Sequence, residues 1–327
     1  MEFVDIKRKK RQHYVPQFYL KYWMSRDGIW VRNNISGNPK TYPKKMTEDI
    51  AEEKYFYGIK MDDVVWDLLI YKYKDEIDSD QLLKLLFNEF RMLRYADDVV
   101  NKGWLVVNHD KELMEYAKRN LDIYNKIFIE NKYASLENII AEMINEIVLT
   151  QESVILTSLN KEMYINILAF FSFQLFRTKK MMFNLNESIK QMILTRDKEE
   201  IILTQEQKDS YLKCMLYIES YKFLLELEKK CFTIRIFKNH TKINYISSDS
   251  PAMFFQDKFF GVMPLSPRLL VQIDIENNIY GHYFDKRKVE LIGVYDSEKV
   301  KISNKLIQTH SHNFLFAKKK LDLKFDD

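Results

Sequence analysis

Apolar positions follow a helical spacing through the middle of the chain. Between Asp62 and Lys230 there is no proline and Gly103 is the only glycine. Apolar residues recur there every three or four positions, as along Gln81 to Arg94, and polar clusters interrupt the pattern often enough to predict about six helices. The predicted breaks lie at 74–80, 103–110, 131–135, 150–159 and 195–205.

Beyond Lys230 the pattern changes to alternation. Phe232, Ile234 and Ile236 alternate with more polar neighbours, which predicts a strand. Capping residues and helical spacing predict a terminal helix from Ser297 to about His310. Further short strands are predicted at 242–246, 269–273 and 314–316.

The first segment, to about Tyr57, contains half of the prolines and several irregular polar stretches. It is predicted to form a short helix, a short strand and loops. The fold class we predict is therefore α+β and mainly α: a helical body, an N-terminal wrap and a small C-terminal antiparallel sheet. The three predicted segments are 1–60 (wrap), 61–230 (helical body) and 231–327 (mixed β/α, closing a cleft).

Composition narrows the class without naming a function. The hydrophobic fraction of 46% and the net charge of +4 are those of a folded protein, and 7 glycines and 6 prolines are few for a sandwich, barrel or propeller. The two cysteines, Cys214 and Cys231, do not form a disulfide framework, and Cys214 lies in a helical pattern that favours a core position. We find no leader or spanning segment, and we expect a cytoplasmic protein.

Several motifs suggest chemistry that their context disfavours. Tyr95-Ala96-Asp97-Asp98 resembles the metal-binding turn of reverse transcriptases, but it ends a helical pattern, so two solvated aspartates at a helix terminus are the expected structure. His310 and His312 have no further ligands at a supporting spacing, so no metal site is predicted. The chain also has no glycine-rich phosphate loop.

A basic run precedes an aromatic one near the start of the chain. The five cations are Lys7, Arg8, Lys9, Lys10 and Arg11, and residues 12–20 follow with Tyr14, Phe18 and Tyr19. Positive charge combined with stacking surfaces favours RNA or single-stranded nucleic acid as a partner, although such runs are usually solvated arms. Pro16 suits the first turn of a short helix, with His13 at its positive end.

Four short blocks resemble signatures of a bacterial family, the domain of unknown function 4238. The blocks run from His13 to Leu20, from Gln174 to Thr178, from Ile246 to Pro251 and from Pro264 to Pro267, in the family's order. The resemblance spans most of the chain and implies site positions rather than an activity. The chain departs from the pattern at Lys179, where the family has proline, and we expect an uninterrupted helix there.

The blocks share polar groups set in apolar segments. Gln174 and Arg177 lie one helical turn apart among phenylalanines, where a buried guanidinium needs an acceptor, and Asp249 is the acceptor we predict. The candidate catalytic residues are His13, Gln17, Gln174, Arg177 and Asp249. The candidate substrate-binding residues are Lys7, Arg8, Lys9, Lys10, Arg11, Tyr14, Thr178, Ser248 and Ser250. The alternative is a buried structural network that pins the wrap to the body.

The sequence is compatible with two functions. One is a nuclease-like enzyme, an RNase of bacterial phage defence or toxin type, with His13 as general acid or base and Arg177 stabilising the phosphorane. The other is a non-enzymatic sensor or binding protein whose polar cleft holds a nucleotide, peptide or phage component. An enzyme needs His13 and Arg177 to face an open cleft, whereas a structural network buries both with their donors satisfied. The sequence specifies no cofactor and no oligomeric state.

Overall fold

The protein has the predicted α+β, mainly helical fold. Its structure, a computed structural model, describes residues 10–35, 38–101, 111–150, 161–190, 195–196, 199–200, 202–275 and 288–325. In this part of the chain no helix combines the length and apolarity needed to cross a bilayer.

Helices dominate the region before residue 231, as the spacing predicts. In the described ranges the α-helices are α1 (Gln17–Leu20), α2 (Asp63–Ser79), α3 (Gln81–Asn101), α4 (Lys111–Thr150), α5 (Lys161–Phe176), α6 (Lys179–Lys190), α7 (Gln205–Lys230) and α8 (Ser297–His310). Residues 102–110 and 151–160, where two breaks were predicted, lie outside the described residues. The break predicted at 131–135 is wrong, since α4 continues through it. There the Ser135 hydroxyl donates to the Asn131 carbonyl within the helix (2.9 Å).

The strands form two larger sheets and two strand pairs. They are β1 (Arg11–His13), β2 (Ile29–Asn33), β3 (Lys40–Lys44), β4 (Glu52–Lys54), β5 (Thr195–Arg196), β6 (Glu199–Glu200), β7 (Cys231–Asn239), β8 (Ser247–Ser248), β9 (Met253–Phe255), β10 (Phe260–Ser266), β11 (Leu269–Ile275), β12 (Lys288–Val294) and β13 (Phe314–Ala317). The five-stranded sheet has the order β12-β7-β11-β10-β9 and the four-stranded sheet the order β3-β2-β13-β8. Pairing in the C-terminal sheet is antiparallel except between β12 and β7, which are parallel. β1 pairs with β4, and β5 with β6.

The strand predicted at 242–246 is not formed. In this stretch the chain satisfies its backbone groups through side chains: Asn239 Nδ2 donates to the Ile243 carbonyl (2.7 Å), and the Asn244 N–H donates to Asp322 (3.2 Å). Side-chain hydrogen bonds of this kind compete with a strand ladder. Only Ser247 and Ser248 pair, as β8, with β13.

Contacts divide the chain into two compact units. The first comprises residues 1–12, 54–135 and 182–219, and the second residues 13–53, 136–181 and 220–327. In the core of the first unit, Phe90 packs against Phe128 and Tyr217, with ring centroids 5.7 and 6.3 Å apart. Cys214 is fully buried, as the helical pattern predicts, and burial raises the pKa of its thiol.

The core of the second unit forms around α5, which is apolar on nearly every side. Ile167, Phe170 and Phe171 are almost completely buried, and Phe18 from α1 packs against Phe170 with ring centroids 5.6 Å apart. Gly261 on β10 faces Phe171, where an added Cβ would lie 2.3 Å from the ring. This close packing fixes α5 in place, and with it the positions of the polar residues near its C-terminus.

Candidate functional site

The N-terminal signature block forms a short turn that presents His13. Pro16 has φ −59° and ψ 139° and stands directly before α1, while Tyr14 and Val15 form a bend between β1 and this helix. The Tyr14 N–H donates to the Ala51 carbonyl (3.0 Å). The Tyr19 hydroxyl, fully buried, donates to the Pro264 carbonyl (2.7 Å). The buried tyrosines and their hydrogen bonds thus fix the backbone around His13.

The His13 imidazole is half-buried and held on two sides. Its Nε2 lies 3.2 Å from the Glu48 carbonyl, and the Gln17 amide nitrogen lies 3.3 Å from both ring nitrogens. Burial lowers the pKa of His13 below 6.5 and outweighs the opposing effect of the Glu48 carbonyl and of nearby carboxylates. The imidazole is therefore neutral at pH 7.

Arg177 lies just beyond the C-terminus of α5 and is buried, with 3% of its surface exposed. Its Nη1 donates to the Glu137 carboxylate, and its Nη2 donates to the His13 backbone carbonyl (2.5 Å). The Arg177 guanidinium thus contacts the backbone of His13. The predicted acceptor is wrong, because Glu137 on α4, rather than Asp249, accepts from the guanidinium.

Asp249 instead orders a neighbouring loop. Its carboxylate accepts from the backbone N–H groups of His312 (2.9 Å) and Asn313 (2.8 Å), while its own N–H donates to the Phe314 carbonyl (3.0 Å). The side chain is 1% exposed, and burial raises its pKa although the backbone hydrogen bonds oppose this. Ser248 accepts from the Ser250 N–H (3.1 Å), so both serines also belong to this turn.

The segment after Arg177 differs from the expected uninterrupted helix. Helix α5 ends at Phe176 and α6 begins at Lys179, although no proline stands there. The buried Thr178 hydroxyl accepts from the Met181 N–H (3.3 Å), which caps α6. A capping threonine therefore breaks the helix where the family has proline.

Two lysines at the start of α6 join the same cluster. Lys179 pairs with Glu53 (2.5 Å) and lies over the Tyr14 ring, 5.0 Å from its centroid. Lys180 donates to the His310 carbonyl (2.6 Å), and burial lowers its pKa while Asp249 opposes the shift. Glu137 and Lys180 lie outside the signature motifs, and nothing in their sequence context singles them out.

We call the set His13, Gln17, Gln174, Arg177, Glu137 and Asp249, with their partners, the Arg177 network; all of it lies in the second unit. Gln174 is 1% exposed, and its Oε1 has no hydrogen-bond partner among the described residues.

Of the basic run, Lys7, Arg8 and Lys9 lie outside the described residues, while Lys10 and Arg11 are exposed. No cluster of three metal-ligating side chains occurs in the described ranges.

A cavity of about 630 Å³ lies in the first unit, and none of the predicted site residues lines it. Its lining includes Asp97, Asn125 and Ser210, all buried, together with Lys60 and Lys213. The aspartates of the rejected polymerase motif were expected to be solvated, but Asp97 and Asp98 are each only 8% exposed within α3. We call this the Asp97 cavity.

The chain was compared with known proteins. No curated protein and no solved structure matches it. One family matches residues 11–321, nearly the whole chain, as the signature blocks indicate. The chain therefore belongs to the family described as "Protein of unknown function (DUF4238)".

Proposed function

We propose that this protein acts by binding, as a non-enzymatic sensor, rather than by cleaving nucleic acid. The observation that carries the proposal is the state of Arg177. A nuclease of the type considered above needs a cation that faces the phosphorane, but this guanidinium is 3% exposed and donates to Glu137 and to the His13 carbonyl.

The rest of the Arg177 network supports the same reading. The Asp249 carboxylate is engaged by two backbone N–H groups, and Thr178 caps a helix. Buried polar groups that pair with one another across distant segments hold a fold together without performing chemistry. We assign the network to stability, and the binding function to another part of the surface or interior.

One specific observation favours the nuclease as the second candidate. His13 is neutral at pH 7 and only half-buried, which are properties of a general base. Its Nε2 faces the Glu48 carbonyl, and the Gln17 amide nitrogen lies 3.3 Å from Nδ1, so the hydrogen bonds of the ring can set which nitrogen carries the proton. In that case Arg177 is a positioning residue that holds the backbone of His13.

Incubation of the full chain with labelled RNA and single-stranded DNA, with and without Mg²⁺, separates the two functions. We expect no cleavage above that of a His13→Ala variant. Cleavage by the wild type that is lost in His13→Ala, while binding and melting temperature stay unchanged, would reject the binding proposal in favour of the nuclease.

The basic run offers an independent check on the partner. If Lys7 to Arg11 bind phosphates, neutralising the five side chains should reduce the slope of log affinity against log salt by roughly 0.7 per lost contact on single strands. An unchanged slope would exclude nucleic acid as the partner of this segment.

We also propose a cytoplasmic location, on the grounds of cysteine usage alone.

A further inference from the structure

The Asp97 cavity contains a buried acceptor without a donor. Asn125 on α4 is 9% exposed, lines the cavity, and its Oδ1 has no hydrogen-bond partner among the described residues. A buried carbonyl oxygen without a donor costs roughly 1–3 kcal/mol, so such groups are uncommon unless a ligand or water completes them.

The second acceptor is Asp97 itself. One carboxylate oxygen, Oδ1, accepts from Asn101 (2.8 Å), while Oδ2 has no hydrogen-bond donor in the described part of the chain. Asp62 and Asp98 add negative charge close by, and Lys60 is the nearby cation that opposes them. Lys60 also pairs with Glu206 (3.4 Å). The buried side of the cavity therefore presents acceptors in a negative field.

The cations of the lining are mostly engaged. Lys213 donates to the Gly58 carbonyl (2.8 Å), and Lys126 pairs with Asp122 on the same helix. Lys118 is exposed and has no ion pair among the described residues. Among the described residues, the lining thus combines buried acceptors with an exposed cation that has no ion pair, Lys118.

We infer that the Asp97 cavity binds a small zwitterion through a guanidinium group. The buried end of the ligand donates N–H groups to Asp97 and to Asn125 Oδ1, and its carboxylate faces Lys118. A guanidinium suits this arrangement because it presents several N–H donors in one plane and remains charged. The volume of about 630 Å³ falls in the usual range for small-molecule sites.

This inference rests on the proposed binding function, because it names the class of ligand and its site. The guanidinium can come from a free amino acid or from an arginine side chain in a short peptide. Calorimetric titration of the full chain with L-arginine and with the peptide Gly-Arg-Gly distinguishes these sources. L-Citrulline, which replaces the guanidinium with a neutral urea of similar shape, is the matched control ligand.

We expect L-arginine or Gly-Arg-Gly to bind, and L-citrulline to bind about tenfold to a hundredfold more weakly, since hydrogen bonds between charged groups are lost. Asp97→Asn and Asn125→Leu should each weaken binding at least tenfold. Asn120→Leu, on the same helix but outside the cavity lining, should leave affinity unchanged. Circular dichroism and melting temperature establish that each variant is folded.

Three results would overturn the inference: no binding of either arginine probe, equal affinity for L-citrulline, or full affinity in folded Asp97→Asn and Asn125→Leu. Guanosine monophosphate is included because a guanine edge also carries adjacent N–H donors. If guanosine monophosphate binds and neither arginine probe does, the inference of a zwitterionic ligand is rejected. RNA cleavage dependent on His13 would instead overturn the proposed function, so the two failures are distinguishable.

Discussion

Most buried polar groups of the Arg177 network are paired, with Gln174 Oε1 as an exception, whereas the Asp97 cavity contains acceptors with unused hydrogen-bonding capacity among the described residues. In the network, Arg177 donates to a carboxylate and a carbonyl, and Asp249 accepts two backbone N–H groups. In the cavity, Asp97 has a single hydrogen bond from Asn101, and Asn125 Oδ1 has no partner among the described residues. Paired buried polar groups stabilise a fold, whereas unpaired ones lower its stability unless a ligand or water supplies the missing hydrogen bond.

The signature motifs and the expected ligand site therefore lie in different regions: the motifs in the Arg177 network, and the ligand site in the Asp97 cavity. The motifs mark residues that join segments far apart in sequence. The two cavity acceptors, Asp97 and Asn125, lie on α3 and α4, outside the four signature blocks. The paired signature residues of this chain are thus accounted for by their contribution to stability.

The largest expected effect is the loss of the buried guanidinium. Arg177→Ala should lower the free energy of unfolding by about 3 kcal/mol, because Glu137 and the His13 carbonyl lose their donor. Urea denaturation measures the change. Lys179→Ala is the control, since its ion pair with Glu53 is only partly buried, with side chains 29% and 51% exposed, and should be worth at most about 1 kcal/mol. Equal effects of the two substitutions would contradict the structural role of the network.

Removal of the loop-ordering carboxylate comes next. Asp249→Ala should destabilise the protein by about 2 kcal/mol, because two backbone N–H groups lose their acceptor. The exposed Asp257 serves as the control, and Asp257→Ala should change stability by less than about 0.5 kcal/mol. Thermal unfolding followed by calorimetry tests both, and a stable Asp249→Ala protein would remove Asp249 from the network.

In the Asp97 cavity, removing a buried charge is expected to raise the stability of the protein rather than to lower it. Burial raises the pKa of Asp97, so the folded protein binds this proton more tightly than the unfolded chain does, and the ionised carboxylate costs stability at neutral pH. Asp97→Asn should therefore stabilise the protein by about 0.5–2 kcal/mol.

The advantage of Asp97→Asn should shrink as pH falls through the raised pKa of Asp97, because the wild type then becomes protonated. Melting temperatures of both proteins between about pH 4 and 7 measure this. A destabilised Asp97→Asn protein, or a difference independent of pH, would show that Asp97 is paired in solution and would weaken the contrast between the two regions.

The smallest effect concerns His13. The pKa of His13 is lowered in the folded state, so the unfolded chain binds a proton at this imidazole more readily than the folded protein does. The protein should therefore lose stability as the pH falls from 6.5 toward the lowered pKa of His13 in the folded state. The wild type should lose less than about 1 kcal/mol relative to His13→Ala over this window. Gln17→Ala, which removes no titratable group, should follow the wild type in urea titrations at pH 7.5 and 5.5. A parallel pH profile for His13→Ala would mean that the imidazole is solvated.

Local patterns predicted several elements closely. The terminal helix, Ser297–His310, has the predicted ends, because Asp296 caps its first turn and its hydrogen bonds join residues four apart. The same reasoning failed at 131–135 and at Thr178, where local side-chain hydrogen bonds had the opposite effect in each case: one serine remains inside a helix, and one threonine starts a new helix. A hydroxyl serves either structure, and packing decides between them.

The sequence by itself determined the helical body and the strands after Lys230. Only the tertiary structure decided that Glu137 accepts from Arg177 and that Asp97 is buried beside a cavity. Helical periodicity depends on neighbours three and four residues apart, so it is visible in any short window. The partner of a buried charge depends on segments 40 or more residues away, whose packing no local pattern specifies.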